Sequence, residues 1–98
     1  MKVVGFDWDG GNRDKCQKHG VSMEVIESLF ADDHLYIGPD IANSKREKRF
    51  RAIGKALNGR DVFLVFTLRH RAVGILIRPI SARYMHKKEV TYYEKEIS

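Results

Sequence analysis

The sequence predicts an α+β domain: an antiparallel sheet packed with two N-terminal helices and a C-terminal helix. Three observations carry this. A stripe of apolar residues at helical spacing follows Ser22, two Val-, Ile- and Phe-rich runs at 62–69 and 74–83 read as buried strands, and a charged amphipathic segment closes the chain. With 98 residues, 1–98 reads as one domain near the small end of what builds its own core.

Residues 2–8 alternate weakly and form a first strand. Asp9-Gly10-Gly11-Asn12 supplies a turn and a helix start, with Asn12 as N-cap. That helix runs through Lys18 and stops at Gly20, a residue suited to the left-handed position after a helix. Ser22 caps a second helix, with Glu24 in its first turn. Val21 and Ile26 have hydrophobic-staple spacing, and Val25, Ile26, Leu29 and Phe30 make one stripe. Residues 34–37 form a short strand closed by Gly38-Pro39-Asp40, and 40–48 are turn-like. Residues 49–57 look extended, and Asn58-Gly59 signals a two-residue hairpin. Such a turn sets Leu57 opposite Arg60, Ile53 opposite Leu64 and Phe50 opposite Thr67. Phe50 then shares a face with Val65, Thr67 and Arg69, while Ile53 shares the other with Val62, Leu64 and Phe66. A turn at 70–72 leads to a last strand over 73–84. A helix from His86 onward aligns Val90, Tyr93 and Ile97.

The net charge of +5, from 18 Lys and Arg, suits an anionic partner such as nucleic acid or an acidic protein segment. An apolar share of 43% argues against disorder. No run approaches the ~18 apolar residues of a membrane span, and residues 1–9 are too short and acidic for a signal peptide. A lone Cys16 forms no internal disulfide, which fits a reducing cytoplasm. There is no Walker motif, GxSxG or paired Cys-His spacing.

The arginines of the two apolar runs are the first candidates for chemistry, because a core strand rarely carries arginine without water, a partner or an anion to meet it. Thr67 and Arg69 point the same way. Arg78 and Arg83 are five apart, so an unbroken strand would separate them. Pro79 lies between, and a one-residue bulge there would bring both to one face. Clustered guanidiniums bind phosphate bidentately and stabilise charge on a transferring phosphoryl group. The structural alternative pairs them with Asp61, Glu47 or helix carboxylates. Lys18-His19-Gly20 offers a proton-transfer pair or, more plainly, a helix C-terminus. Asp7-Trp8-Asp9 lacks a third metal ligand and reads as turn chemistry. Trp8 could stack on a base or serve the core. Cys16 sits between lysines that would lower its pKa, yet without a partner cysteine it reads as packing. Of the adjacent Tyr92 and Tyr93, at most one faces the core.

Several segments together resemble the BrnT ribonuclease toxins of bacterial type II toxin–antitoxin modules, whose fold is similar to RelE. The matching residues are Phe6-Asp7-Trp8-Asp9, Asn12, Lys15 through Ser22, Glu47, Arg49-Phe50, Ala52-Ile53-Gly54, Phe66-Thr67-Leu68-Arg69, 77–83, Glu89 and Tyr93. The chain looks like the subgroup carrying Asn-x-x-Lys-Cys-x-Lys-His-Gly. The resemblance implies a RelE-like fold and cleavage of RNA without metal or other cofactor, a 2′-oxygen attacking the adjacent phosphate. Arg69, Arg78 and Arg83 would hold the phosphate, Lys18 and His19 would move protons, and Trp8, Lys15, Thr67 and Tyr93 would contact RNA. The implied partner is a BrnA-like antitoxin with a ribbon-helix-helix domain, through which alone operator DNA is reached. A non-catalytic basic module binding nucleic acid or an acidic protein is the other reading.

Overall fold

The computed structural model describes the backbone over residues 3–97 and side chains through Tyr92, so the expectations for the Tyr93 and Ile97 side chains lie outside the described residues. Its elements are β1 (Val3–Phe6), α1 (Gly10–Gln17), α2 (Met23–Leu29), β2 (Tyr36–Pro39), β3 (Arg49–Lys55), β4 (Asp61–Arg71), β5 (Gly74–Tyr84) and α3 (Lys87–Ile97), with a short 3₁₀ turn at Ile41–Asn43. Five strands form one sheet in the order β1-β5-β4-β3-β2. From β2 to β5 the sheet is an antiparallel meander, but β1 pairs parallel with β5. The sheet is therefore mixed, not antiparallel throughout. A parallel neighbour needs a long connection, and everything from α1 to β4 supplies it.

The helix starts follow from local chemistry. Asp9, not Asn12, is the N-cap of α1: its carboxylate accepts from the Asn12 N–H at 3.0 Å, and the Asn12 Oδ1 accepts in return from the Asp9 N–H at 2.7 Å. Asn12 thus occupies the third helical position of a capping box, a role usually filled by Glu or Gln. Gly20, at φ +84°, ends the turn after the helix as expected. Ser22 caps α2 by accepting from the Val25 N–H, and the staple pair Val21 and Ile26 is fully buried. β2 begins two residues later than expected, because Asp32 holds His34 and Leu35 in a turn.

The hairpin differs from the two-residue form. Ala56 pairs with Arg60 around a three-residue loop, and Gly59, at φ +85°, takes the left-handed place that such a loop requires. The register shifts by one, to Ile53 opposite Phe63 and Phe50 opposite Phe66. A one-residue shift exchanges the faces of β3. Phe50 therefore stacks on Phe66, ring centroids 5.4 Å apart, and Ala52, Gly54 and Ala56 face the core. There Val62, Leu64 and Phe66 of β4 and Ile77 and Ala82 of β5 meet Cys16, Val21, Ile26 and Leu29.

The bulge beside Pro79 is present. Val65 pairs with Ser81 and Phe66 with Pro79, which leaves Ile80 as the extra residue. Arg78 lies opposite Thr67 and Arg83 opposite Phe63, so both join Arg69 on the face away from the core. α1 lies alongside the bulged half of β5, tied by the Asn12 amide, which donates to the Asp7 and Pro79 carbonyls at 2.9 Å each. Among the described residues no helix is long and apolar enough to cross a membrane.

Candidate functional site

Because α1 runs along the edge of β5, its first turns overlook the outer face of the sheet as well as the core. Between them opens a cleft of about 280 Å³ lined by Gly11, Asn12, Lys15, Glu47, Arg49, Arg69, Arg78 and Ile80. Arg49, Thr67 and Arg78 form one row across β3, β4 and β5. Thr67 itself is buried, and its hydroxyl donates to the Lys48 carbonyl at 2.7 Å, which anchors the chain leading into β3. Arg69 stands two residues further along β4 on the same face.

Each arginine of the cleft meets a carboxylate. Arg69 donates to Glu47 at 2.8 Å, and Arg49 lies 3.5 Å from the other Glu47 oxygen. The Arg69 hydrogen bond is the main reason that the Glu47 carboxyl sits below its ordinary range. Arg78, whose side chain is 21% exposed, donates to Asp9 at 2.9 Å and lies 3.5 Å from Asp7. Asp9 is held low first by the Asn12 N–H and then by Arg78, so the helix cap also positions a guanidinium. The Lys15 side chain, by contrast, makes no hydrogen bond or ion pair among the described residues. The four cations face Glu47 in the lining and Asp7 and Asp9 behind Arg78, which leaves a modest positive excess among the described residues, and guanidinium forks suit an oxyanion with several acceptor oxygens.

Not every expected residue is here. Arg83 lies four residues along β4 from the row of Arg78, about 13 Å at ~3.3 Å per residue. It forks onto Glu89 at 2.9 and 2.8 Å and stacks over Phe63. That fork, with the His86 N–H, lowers Glu89 to about 2. The three arginines thus share a face, as the bulge requires, but Arg83 does not line the cleft. Lys18 and His19 are exposed past the C-terminal end of α1; Lys15, one turn earlier, is the lysine that lines it. Trp8 is half-buried and donates from its indole to Glu27 at 2.9 Å. Cys16 is fully buried, and burial pushes its thiol up to about 11 against the opposing pull of Lys15, in keeping with packing.

Glu47 and Arg49 entered the sequence reading only as a counter-charge and as parts of a family pattern. The signal that would have found them is the hairpin register, since setting Arg49 opposite Thr67 puts it in line with Arg78. A family model described as the ribonuclease toxin BrnT of type II toxin–antitoxin systems matches residues 8–89. No curated protein matches the chain.

Proposed function

Since the chain belongs to the BrnT family of ribonuclease toxins of type II toxin–antitoxin systems, we propose that its cleft cuts RNA without a metal ion, on a RelE-like fold, and so inhibits translation. The toxin role and the existence of an antitoxin partner come with family membership. The observation that carries the rest is the convergence of Lys15, Arg49, Arg69 and Arg78 on one pocket whose only lining carboxylate among the described residues is Glu47.

In this reading Arg69 and Arg78 hold the scissile phosphate, and Arg49 adds charge as the pentacoordinate state builds up. Glu47, kept ionised by its arginines, accepts the 2′-hydroxyl proton. The 2′-oxygen bonds to phosphorus, the bond to the 5′-oxygen breaks, and Lys15 returns a proton to that leaving oxygen. The products are a 2′,3′-cyclic phosphate and a 5′-hydroxyl. This assigns proton transfer to Glu47 and Lys15 in place of Lys18 and His19, which lie outside the pocket. The antitoxin is BrnA-like: an acidic segment covers the cleft, and a ribbon-helix-helix domain makes the operator contacts.

The test is incubation of a mixed RNA at low salt with a chelator. Products ending in cyclic phosphate, lost in Arg69→Ala, support the enzyme. One observation favours a second reading, a basic module that binds without cutting: Lys18 and His19, the expected proton-transfer pair, lie outside the cleft that the cations line. Salt-sensitive binding without products would select it.

A further inference from the structure

Beside the first cleft lies a second, of about 330 Å³, lined by Ala42, Asn43, Lys45, Arg46, Glu47 and Arg49. Glu47 and Arg49 line both clefts and form the wall between them. We propose that this second cleft is a subsite for the RNA backbone, taking a phosphate next to the scissile one; the inference rests on the ribonuclease reading of the first cleft.

Three features argue for it. First, the charge is uncompensated: Lys45 and Arg46 make no hydrogen bond or ion pair among the described residues, unlike the arginines of the first cleft. Second, the segment that carries them is held at both ends. Asp40, 6% exposed, accepts from the Asn43 amide at 3.0 Å. Ser44 donates to the Asp40 carbonyl at 2.6 Å and accepts from the Arg49 N–H at 3.0 Å. Thr67 fixes Lys48. Ordering of the loop is therefore largely complete before a ligand arrives, which lowers the entropic cost of binding. Third, the shared wall holds an unmet donor, because the Arg49 Nε is buried and lacks a hydrogen-bond partner. A buried donor without a partner is costly, and a turn of the Arg49 side chain towards a phosphate in the cleft would relieve that cost. A strand lying across the wall would put one phosphate on Arg69 and Arg78 and its neighbour on Lys45 and Arg46.

The experiment compares wild type with a Lys45→Gln/Arg46→Gln double variant on two substrates, the set of dinucleoside monophosphates and a mixed-sequence hexanucleotide pool. A dinucleoside monophosphate has only the scissile phosphate, so it cannot use the subsite. The variant should cut dinucleotides as wild type does and lose the preference for hexanucleotides through KM, with kcat held. With a 2′-O-methyl hexanucleotide, which cannot be cut, the slope of log affinity against log salt should become shallower by about 0.7, the value for one phosphate contact on a single strand. An unchanged KM and salt slope overturns the subsite while leaving the first cleft standing. An equal loss on both substrates overturns it too, in favour of a general structural role. If wild type cuts neither substrate, the ribonuclease reading fails, and the salt slope alone then decides whether this cleft binds a strand.

Discussion

Replacing Glu47 with glutamine tests the chemistry most directly, because its two consequences differ greatly in size. The variant keeps the shape of the side chain and removes the charge that meets Arg69 at 2.8 Å and Arg49 at 3.5 Å. All three side chains are about a third exposed, and ion pairs so placed contribute roughly 0–1 kcal/mol each. A domain stable by at least ~5 kcal/mol remains more than ~99% folded after that loss. Removal of a general base slows cleavage by about 10²–10⁴-fold, or ~3–5 kcal/mol of barrier. No stability loss of the size calculated can reproduce such a decrease. The assay is single-turnover cleavage of RNA with chelator present, alongside binding of the 2′-O-methyl analogue. Cleavage should collapse while binding holds or tightens, since a negative charge has left the cleft. The pH profile adds a sign. Glu47 sits below its ordinary value of 4.5, so wild-type kcat/KM should persist below that pH and fall only as the carboxylate takes its proton; the glutamine variant has no such limb. A Glu47→Gln protein that cuts within about threefold of wild type would refute the assignment, because a general base is worth far more than that.

Arg69→Ala and Arg78→Ala should each abolish growth inhibition on expression of the chain alone while holding stability within about 1–2 kcal/mol, read by thermal melting. Asn12→Ala strands the Asp7 and Pro79 carbonyls and the Asp9 N–H and should cost on the order of 1–3 kcal/mol. Asn12→Asp, which aims an acceptor at two carbonyls, should be worse, and the reverse order would disprove this account of the amide. The Arg83–Glu89 fork contributes stability that is complete above pH 4.5 and is lost as the pH falls towards about 2, because the folded carboxyl is the more acidic. Melting curves of wild type and Glu89→Gln should therefore converge over that window.

The helix-forming segments were legible because their signals are local. Ser22, Glu24 and the staple of Val21 and Ile26 lie within a few residues of the turn that they define. The bulge at Ile80 was legible for a similar reason, since Pro79 cannot donate and the arginines five apart demanded an explanation. The β3 register was not. Asn-Gly suits two loop lengths, and Ile53 looks a better core residue than Ala52 or Gly54. Small residues face the core because α2 and the turn after it press close: a Cβ at Gly54 would stand 2.8 Å from the Leu35 Cδ1 and 3.2 Å from the Leu29 Cδ2. That choice depends on residues distant in sequence. The same one-residue slip hid Arg49 from the row of Arg78, and Glu47 with it. The parallel placement of β1 is likewise set at long range.

The bond from the Asn12 amide to the Pro79 carbonyl spans 67 positions. Contacts this distant are slow to close, whereas the β3–β4–β5 meander needs only its own turns. On a chain emerging from the ribosome, β1 and α1 come first and wait without a sheet edge. Arg78 follows only after β2, β3 and β4 have been made, and with it the edge against which Lys15 can be positioned. A partial chain, however long it lingers, has no complete cleft. The order of the strands thus makes the cleft one of the last features of the fold to be completed.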